Sequence, residues 1–297
     1  MKTKIIMMTA LLALLATGCG KDKFNGFRIV AENMQVVSNS KLLMNPTTMA
    51  SEWLANEKIM INDGNLYNII GDAGDYSIGA GETTPLADES GFYYALYPGD
   101  DFGGNDVTVD NSTPAEPSII LNELAIDMLS NGSHHVAFPM GAKMAAGGTT
   151  MNFKHLTAAF RLTLHATTAT SLTKLKVYVY GSAAQPKVTV DDIDGVEYLV
   201  KWNNEGAAPN LPIGPVGEVT DQDIKYGSEM VFNLTGMTFN DGDDMTFCIP
   251  VTVANVKRIS VVGYNGSTQV FAKTSALSTA VPVTRNKVYP VATININ

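Results

Sequence analysis

Cysteine is almost absent: Cys19 and Cys248 are the only two among 297 residues. A disulfide framework needs more, so stability has to come from an apolar core. Charge is scarce as well. Asp, Glu, Lys and Arg make up 16% of the chain, against roughly 25% in average globular proteins. Thr, Asn, Ser and Gly take their place, a blend suited to strands and tight turns. What charge there is runs negative, with a formal net of −9. An acidic chain without a basic patch repels phosphate, which argues against nucleic acid as a partner and against a site for anionic lipid headgroups. Long hydrophobic runs are missing too. The apolar run over residues 5–16 falls short of the about 20 residues a membrane-spanning helix needs, and no later segment is longer in kind.

That short run has a different meaning. Lys2 and Lys4 precede it, and small residues follow it in Leu15-Ala16-Thr17-Gly18-Cys19. A positive start, an apolar stretch and a small-residue end form a secretory signal. Small residues directly before a cysteine look like the lipobox cut by the lipoprotein signal peptidase, with Ala16 where leucine is more usual. Residues 1–18 are therefore expected to be a lipoprotein signal peptide and Cys19 the lipidated N-terminus of the mature chain. Acyl chains anchor firmly, since each buried CH₂ contributes about 0.8 kcal/mol. Cys248 would then have no disulfide partner.

Period-two alternation dominates the rest, most clearly in the second half. Leu156, Ala158, Phe160, Leu162 and Leu164 share one face of a strand. Leu175, Val177 and Val179 point inward, with Lys174, Lys176, Tyr178 and Tyr180 expected outward. Val196, Tyr198, Val200 and Trp202 alternate likewise, as do Met230, Phe232 and Leu234, and Met245, Phe247, Ile249, Val251 and Val253. Residues 256–263, 269–273 and 287–296 complete the set. Turn clusters at 191–195, 240–244 and 264–267 carry the Asp-Gly and Asn-Gly pairs that tight hairpins favour. Cys248 falls opposite the apolar row, beside Pro250, as on an edge strand. In the first half, residues 27–37, 58–62, 92–97, 106–109, 118–121 and 134–138 read as strands. Leu121, Leu124, Met128 and Leu129 recur at helical spacing between Asn122 and Gly132, which predicts one short helix. The small-residue stretch 145–150 marks either a domain boundary or a hairpin loop. The pattern is all-β, with strands and turns suited to a β-sandwich.

Signatures of catalysis are missing: there is no G-x-S-x-G, no glycine-rich phosphate loop and no Cys–His zinc spacing. The chain is not expected to be an enzyme, and no cofactor is expected. His134 and His135 are adjacent and so would face opposite sides of a strand, a poor metal pair. His155 and His165 read as surface or capping groups. The acidic turns at 191–194 and 241–244 lack the spaced ligands of a calcium loop. Trp53, Trp202, Tyr93, Tyr94 and Tyr97 have the rings that stack on sugars, but aromatics in strands are more often core.

Four segments together resemble the fimbrillin family, the pilus-subunit lipoproteins of Bacteroidetes. They are Phe92-Tyr93-Tyr94-Ala95-Leu96-Tyr97-Pro98, Phe138-Pro139-Met140, Phe153-Lys154-His155-Leu156-Thr157-Ala158 and Arg285-Asn286-Lys287-Val288-Tyr289-Pro290-Val291. The resemblance implies two transthyretin-like antiparallel β-sandwich domains in tandem, residues 19–150 and 151–297. It implies export as a lipid-bearing precursor to the surface of the outer membrane, with other pilus subunits as partners and a host or bacterial surface ligand as target. In such pili a protease removes an N-terminal strand after a basic residue, and a neighbour's strand fills the groove. Here the candidate processing sites are Arg28, close to the lipid, and Lys41 for a less strict protease. Stalk subunits carry further C-terminal strands to donate, whereas this sequence stops at Asn297, so a tip or accessory subunit serving adhesion is expected. The alternatives are an anchor of the same family that keeps its lipid, and a surface glycan-binding lipoprotein.

Overall fold

Alternating β-branched and aromatic residues build strands, and in the computed structural model the described residues form strands with no helix. The structure describes residues 26–32, 34–36, 53, 57–62, 66–72, 75–78, 85–99, 106–110, 112–113, 116–128, 134–184, 188–189, 196–207 and 224–296. In chain order the first strands are β1 (Arg28–Ala31), β2 (Gln35–Val36), β3 (Lys58–Ile61), β4 (Leu66–Asp72), β5 (Asp75–Ile78), β6 (Phe92–Tyr97) and β7 (Asp106–Asp110). Next come β8 (Ser118–Ala125), β9 (Asp127–Met128), β10 (His134–His135), β11 (Met140–Ala145), β12 (Thr150–His155), β13 (Ala158–Ala166), β14 (Thr170–Ala184) and β15 (Val188–Thr189). The last are β16 (Glu197–Trp202), β17 (Asn204–Ala207), β18 (Tyr226–Phe239), β19 (Asp244–Val251), β20 (Val253–Asn265), β21 (Thr268–Val281), β22 (Lys287–Pro290) and β23 (Ile294–Ile296).

Seven strands close into a barrel in the order β1-β12-β11-β6-β3-β4-β5. Its interior holds Ile29, Ile59, Ile61, Tyr67, Ile69, Tyr76, Met151 and Phe153, with Trp53 among them. A five-stranded sheet runs β19-β13-β22-β2 with β23 beside β13, and a nine-stranded sheet runs β15-β16-β8-β18-β14-β20-β21 with β7 and β17 attached. These two sheets share one core. Phe160, Leu162 and Leu164 of β13 and Phe247 and Ile249 of β19 meet Leu175, Val177 and Val179 of β14 and Met230, Phe232 and Leu234 of β18. Each such side chain contributes about 1.5–3 kcal/mol when fully buried, so these inner faces dominate stability. Pairing is mostly antiparallel, but β1 with β12, β2 with β22, β13 with β22 and β23, and β8 with β16 and β18 are parallel.

Strand β6 joins the two bodies of core. Tyr93, Ala95 and Tyr97 face the barrel, while Tyr94 and Leu96 face the core shared by the other two sheets. A strand covered on both sides has no polar face to show, which is why its sequence is nearly all apolar. Lys143 of β11 lies 4.3 Å from the Phe92 ring centroid, covering the end of this strand.

Three expectations need correction. The helix expected around 121–129 is strand through Met128: Ser118–Ala125 is β8 and Asp127–Met128 is β9. The helical spacing came from a bulge. Val107 pairs with Leu121 and Asp106 with Glu123, leaving Asn122 as an extra residue. The buried pair Ile119 and Leu121 is thus followed by Leu124 and Ile126, out of phase by one. Gly132 lies outside the described residues. Second, Tyr178 and Tyr180 are buried, not solvent-facing: they form a small cluster with Ile224 and Val262 on the outer side of the nine-stranded sheet. Third, His155 is 3% exposed rather than on the surface. The stretch 145–150 links β11 to β12, which pair in the barrel. Turns form at 241–242 and 266–267 as expected, with Gly242 at φ 87° and Gly266 at φ 59°. Cys248 lies on β19, the edge of its sheet.

Candidate functional site

The N-terminal strand sits where a removable strand would have consequences. β1 is a stave of the closed barrel, parallel to β12 on one side and antiparallel to β5 on the other. Its alternation is simple: Ile29 turns into the barrel at 2% exposure, and Arg28 and Val30 turn out. Phe27, just before it, packs its ring 5.1 Å from that of Tyr93. The backbone is held on both flanks, since Arg28 N donates to Thr149 O, Glu32 N to Phe153 O and Ile78 N to Phe27 O, each at 2.9 Å. The Arg28 side chain reaches Asp75 at 3.7 Å, but both groups are largely exposed, and such a pair contributes little.

Past β1 the chain meets a clamp. Glu32 Oε1 accepts from His155 N at 2.7 Å and from Arg285 Nη1 at 3.0 Å. Arg285 Nη1 also donates to His155 O at 3.2 Å, and Lys154 Nζ stands 3.9 Å from Glu32 Oε2. Asn286 N donates to Thr157 O at 2.9 Å, which fastens the turn carrying Arg285 to the start of β13. Charge-assisted bonds of this kind are the strong ones. Burial lowers the His155 pKa to about 4, and the Arg285 charge adds to that, while a hydrogen bond with the Glu32 backbone pulls the other way. The Phe138 ring stands perpendicular to His155 at 5.9 Å. Beyond the clamp β2 lies parallel to β22, Gln35 opposite Lys287 and Val36 opposite Val288. Residues 28–36 therefore cross from the barrel to the five-stranded sheet, and the segments 153–158 and 285–291 meet at the crossing. The chemistry on offer is retention of a strand.

Of the residues singled out from sequence, Arg28 opens β1, whereas Cys19 and Lys41 lie outside the described residues. Arg28 and Glu32 belong to one segment, and no local pattern marks Glu32 as its hub. Trp53 and Trp202 are 5% and 0% exposed, and Tyr93, Tyr94 and Tyr97 are buried, so these rings are core and not a sugar platform. His165 pairs with Asp244 at 2.8 Å on the surface. His134 and His135 form β10; their side chains lie outside the described residues, as does the turn at 191–194. Asp243 accepts from Asn240 N at 2.6 Å within its own turn. Cys248 is unbridged, and burial pushes its thiol up to about 11 against a smaller opposing effect of Arg161.

Two carboxylates escaped sequence reasoning, Glu57 in the core and Glu205 half-buried. Glu57 is fully buried and accepts from the Tyr97 hydroxyl at 2.5 Å beside the barrel core. Glu205 accepts from Trp202 N at 3.0 Å, the Tyr226 hydroxyl at 2.9 Å and the Thr252 hydroxyl. The Tyr97, Tyr226 and Thr252 partners come from tertiary packing, while Trp202 N, three residues before Glu205, is a local donor.

No protein-family model matches the chain, and no curated protein matches it. Among solved structures it is similar to a "putative cell adhesion protein" from Bacteroides ovatus, at 14% identity and a TM-score of 0.37, covering 90% of this chain and 91% of that one. A protein of the same description from Bacteroides fragilis gives 12% identity and a TM-score of 0.38, covering 89% and 91%. A fimbrial protein from Bacteroides ovatus gives 10% and 0.27, covering 92% of this chain and 50% of that one. These neighbours are of the kind that the sequence resemblance names.

Proposed function

We propose that this chain is a fimbrillin-like pilus subunit, exported as a lipoprotein lipidated on Cys19 and assembled on the outer membrane surface by strand insertion. In this reading it is no enzyme; it is a tip or accessory subunit serving adhesion. The observation that carries it is the placement of residues 28–36. A cut after Lys41 takes away β1, Glu32 and β2 together, opening a slot between β12 and β5 and baring the edge of β22. Such a slot exposes apolar side chains and unpaired backbone, which favours filling by another chain's strand. A cut after Arg28 leaves Ile29 and the Glu32 clamp in place, so Lys41 is the productive site. At the other end β23 pairs with β13 and buries Ile296 completely, so this strand is used within the fold.

Sequencing the mature N-terminus in cell envelopes, with unheated gels run alongside, tests this. A new N-terminus after Lys41 together with high-molecular-weight species is the expected outcome. A monomer that keeps acylated Cys19 in the presence of its stalk protein would sink the polymer reading.

One observation favours the anchor role. Arg28 is held in the ladder on both flanks, and a protease needs an extended, unpaired chain at its cleavage site. If cleavage were restricted to Arg28, the folded protein would resist it and keep its lipid.

A further inference from the structure

The N-terminal segment is gripped in two ways. The first grip is apolar: Phe27, Ile29 and Ala31 pack against the barrel core at every second position, while Arg28 and Val30 turn outward. Most half-buried strands share that alternation, and a slip of two residues keeps the same face inward. A groove reading only this pattern would accept many strands in several registers. The second grip is polar and sits at one point. Glu32 Oε1 accepts from His155 N at 2.7 Å and from Arg285 Nη1 at 3.0 Å.

The groups that receive Glu32 are held by contacts in which Glu32 has no part. Arg285 Nη1 also donates to His155 O at 3.2 Å, and Asn286 N donates to Thr157 O at 2.9 Å. Asn286 has φ 57°, in the left-handed region that asparagine tolerates better than most residues. The Tyr289 hydroxyl accepts from Thr284 N at 3.0 Å and lies 3.1 Å from Thr284 Oγ1, which ties the two sides of this turn together. Behind the turn, β22 is paired with β13 from Ala159 to Arg161. Taking residues 28–36 away therefore leaves a guanidinium and a backbone N–H aimed at one point, with the carboxylate gone. Arg285 pairs with no other carboxylate among the described residues. His155 is 3% exposed, and a buried N–H that loses its acceptor is costly.

We infer, resting on the strand-insertion reading proposed above, that this corner selects the incoming strand by a carboxylate. The strand that fits carries Glu three positions after the apolar residue that takes the place of Ile29. Such an anchor sets register and direction where alternation does not. A strand that slips by two residues, or runs the other way, carries its acid away from Arg285 and leaves both donors unmet.

Peptide exchange tests this. The acceptor is the full mature chain with a site-specific protease sequence directly after Lys41, nicked there and kept in urea below its unfolding midpoint to speed exchange. Fluorescent peptides with the sequence of residues 26–36 displace its N-terminal fragment, and anisotropy reads their entry. A Glu32→Gln peptide should bind about tenfold more weakly. A peptide with Glu32→Gln and Met34→Glu, which moves the acid by two positions, should do no better. On an Arg285→Gln acceptor the Glu and Gln peptides should bind alike. The peptide arms need no altered acceptor, so they decide the matter even if Arg285→Gln fails to fold. Equal entry of the Glu and Gln peptides, or a preference that survives Arg285→Gln, overturns the carboxylate reading and leaves strand insertion standing. Entry by no peptide at all removes strand insertion and the carboxylate reading with it.

Discussion

Arg285 donates a 3.0 Å hydrogen bond to Glu32, across 253 positions of sequence. The two side chains are 26% and 17% exposed, and the same carboxylate oxygen accepts from His155 N. One carboxylate thereby ties the N-terminal segment to both the barrel and the five-stranded sheet. Removing either partner strands the other in a half-dry place. Glu32→Ala and Arg285→Ala should each cost about 1–3 kcal/mol, read as a lower urea midpoint. A double-mutant cycle should return a coupling of about 1 kcal/mol or more. Limited proteolysis should also release the N-terminal segment faster from both variants.

His155 sets a pH dependence of known sign. Its folded pKa of about 4 lies below the ordinary imidazole value of 6.5, so the unfolded chain takes up this proton first. Stability from this group is complete at pH 7 and falls as pH drops from about 6.5 towards 4, by on the order of 3 kcal/mol. Urea midpoints measured between pH 7 and pH 4 should flatten in His155→Gln. An unchanged slope in that variant would put the titration elsewhere.

Glu205 works in the opposite direction. Burial raises its pKa, against the lowering effect of the hydrogen bonds from Thr252, Trp202 and Tyr226 and of the Lys201 charge. A raised carboxyl favours the fold at low pH, and that advantage is lost as pH rises through the folded pKa. Glu205→Gln keeps an acceptor and drops the charge, so at pH 7 it should be neutral or stabilising. Glu205→Ala removes the acceptor from its three donors and should cost about 1–3 kcal/mol. Thermal melts of the two variants at pH 7 distinguish them.

Where the barrel leans on the nine-stranded sheet, Gly141 lies under Tyr198. A Cβ at position 141 would stand 2.5 Å from the tyrosine ring. Gly141→Ala should therefore destabilise by about 1–3 kcal/mol through overpacking. The Tyr198 hydroxyl is buried without a hydrogen-bond partner among the described residues. Tyr198→Phe should accordingly be neutral or raise the melting temperature, whereas a loss of several degrees would mean that the hydroxyl has a partner.

Many strands of the five- and nine-stranded sheets are legible because one face of each is buried. Phe160, Leu162 and Leu164, and Leu175, Val177 and Val179, were placed inward by alternation alone and are 3% exposed or less. Legibility failed where both faces are covered or where the phase slips. β11 has small residues and one lysine where alternation would show polar ones, and β4 and β5 pair with Asp72 opposite Asp75. Asn122 shifted the period of β8 so that it imitated a helix. The clamp was half legible: segments 153–158 and 285–291 stood out, yet nothing in them names Glu32 as their meeting point. Contacts across 253 residues leave no local trace.

The parallel pairing of the first strands has a consequence in time. Residue Arg28 waits for Thr150 and Gln35 for Lys287, so the part of the chain made first is seated last. At roughly 5–20 residues per second of synthesis, β2 spends tens of seconds without its native neighbour. Through that interval residues 28–36 are a short β-prone ribbon open to the strands of any other chain nearby. Whatever accompanies the nascent protein has to keep that ribbon unpaired until residues near the far end arrive to receive it.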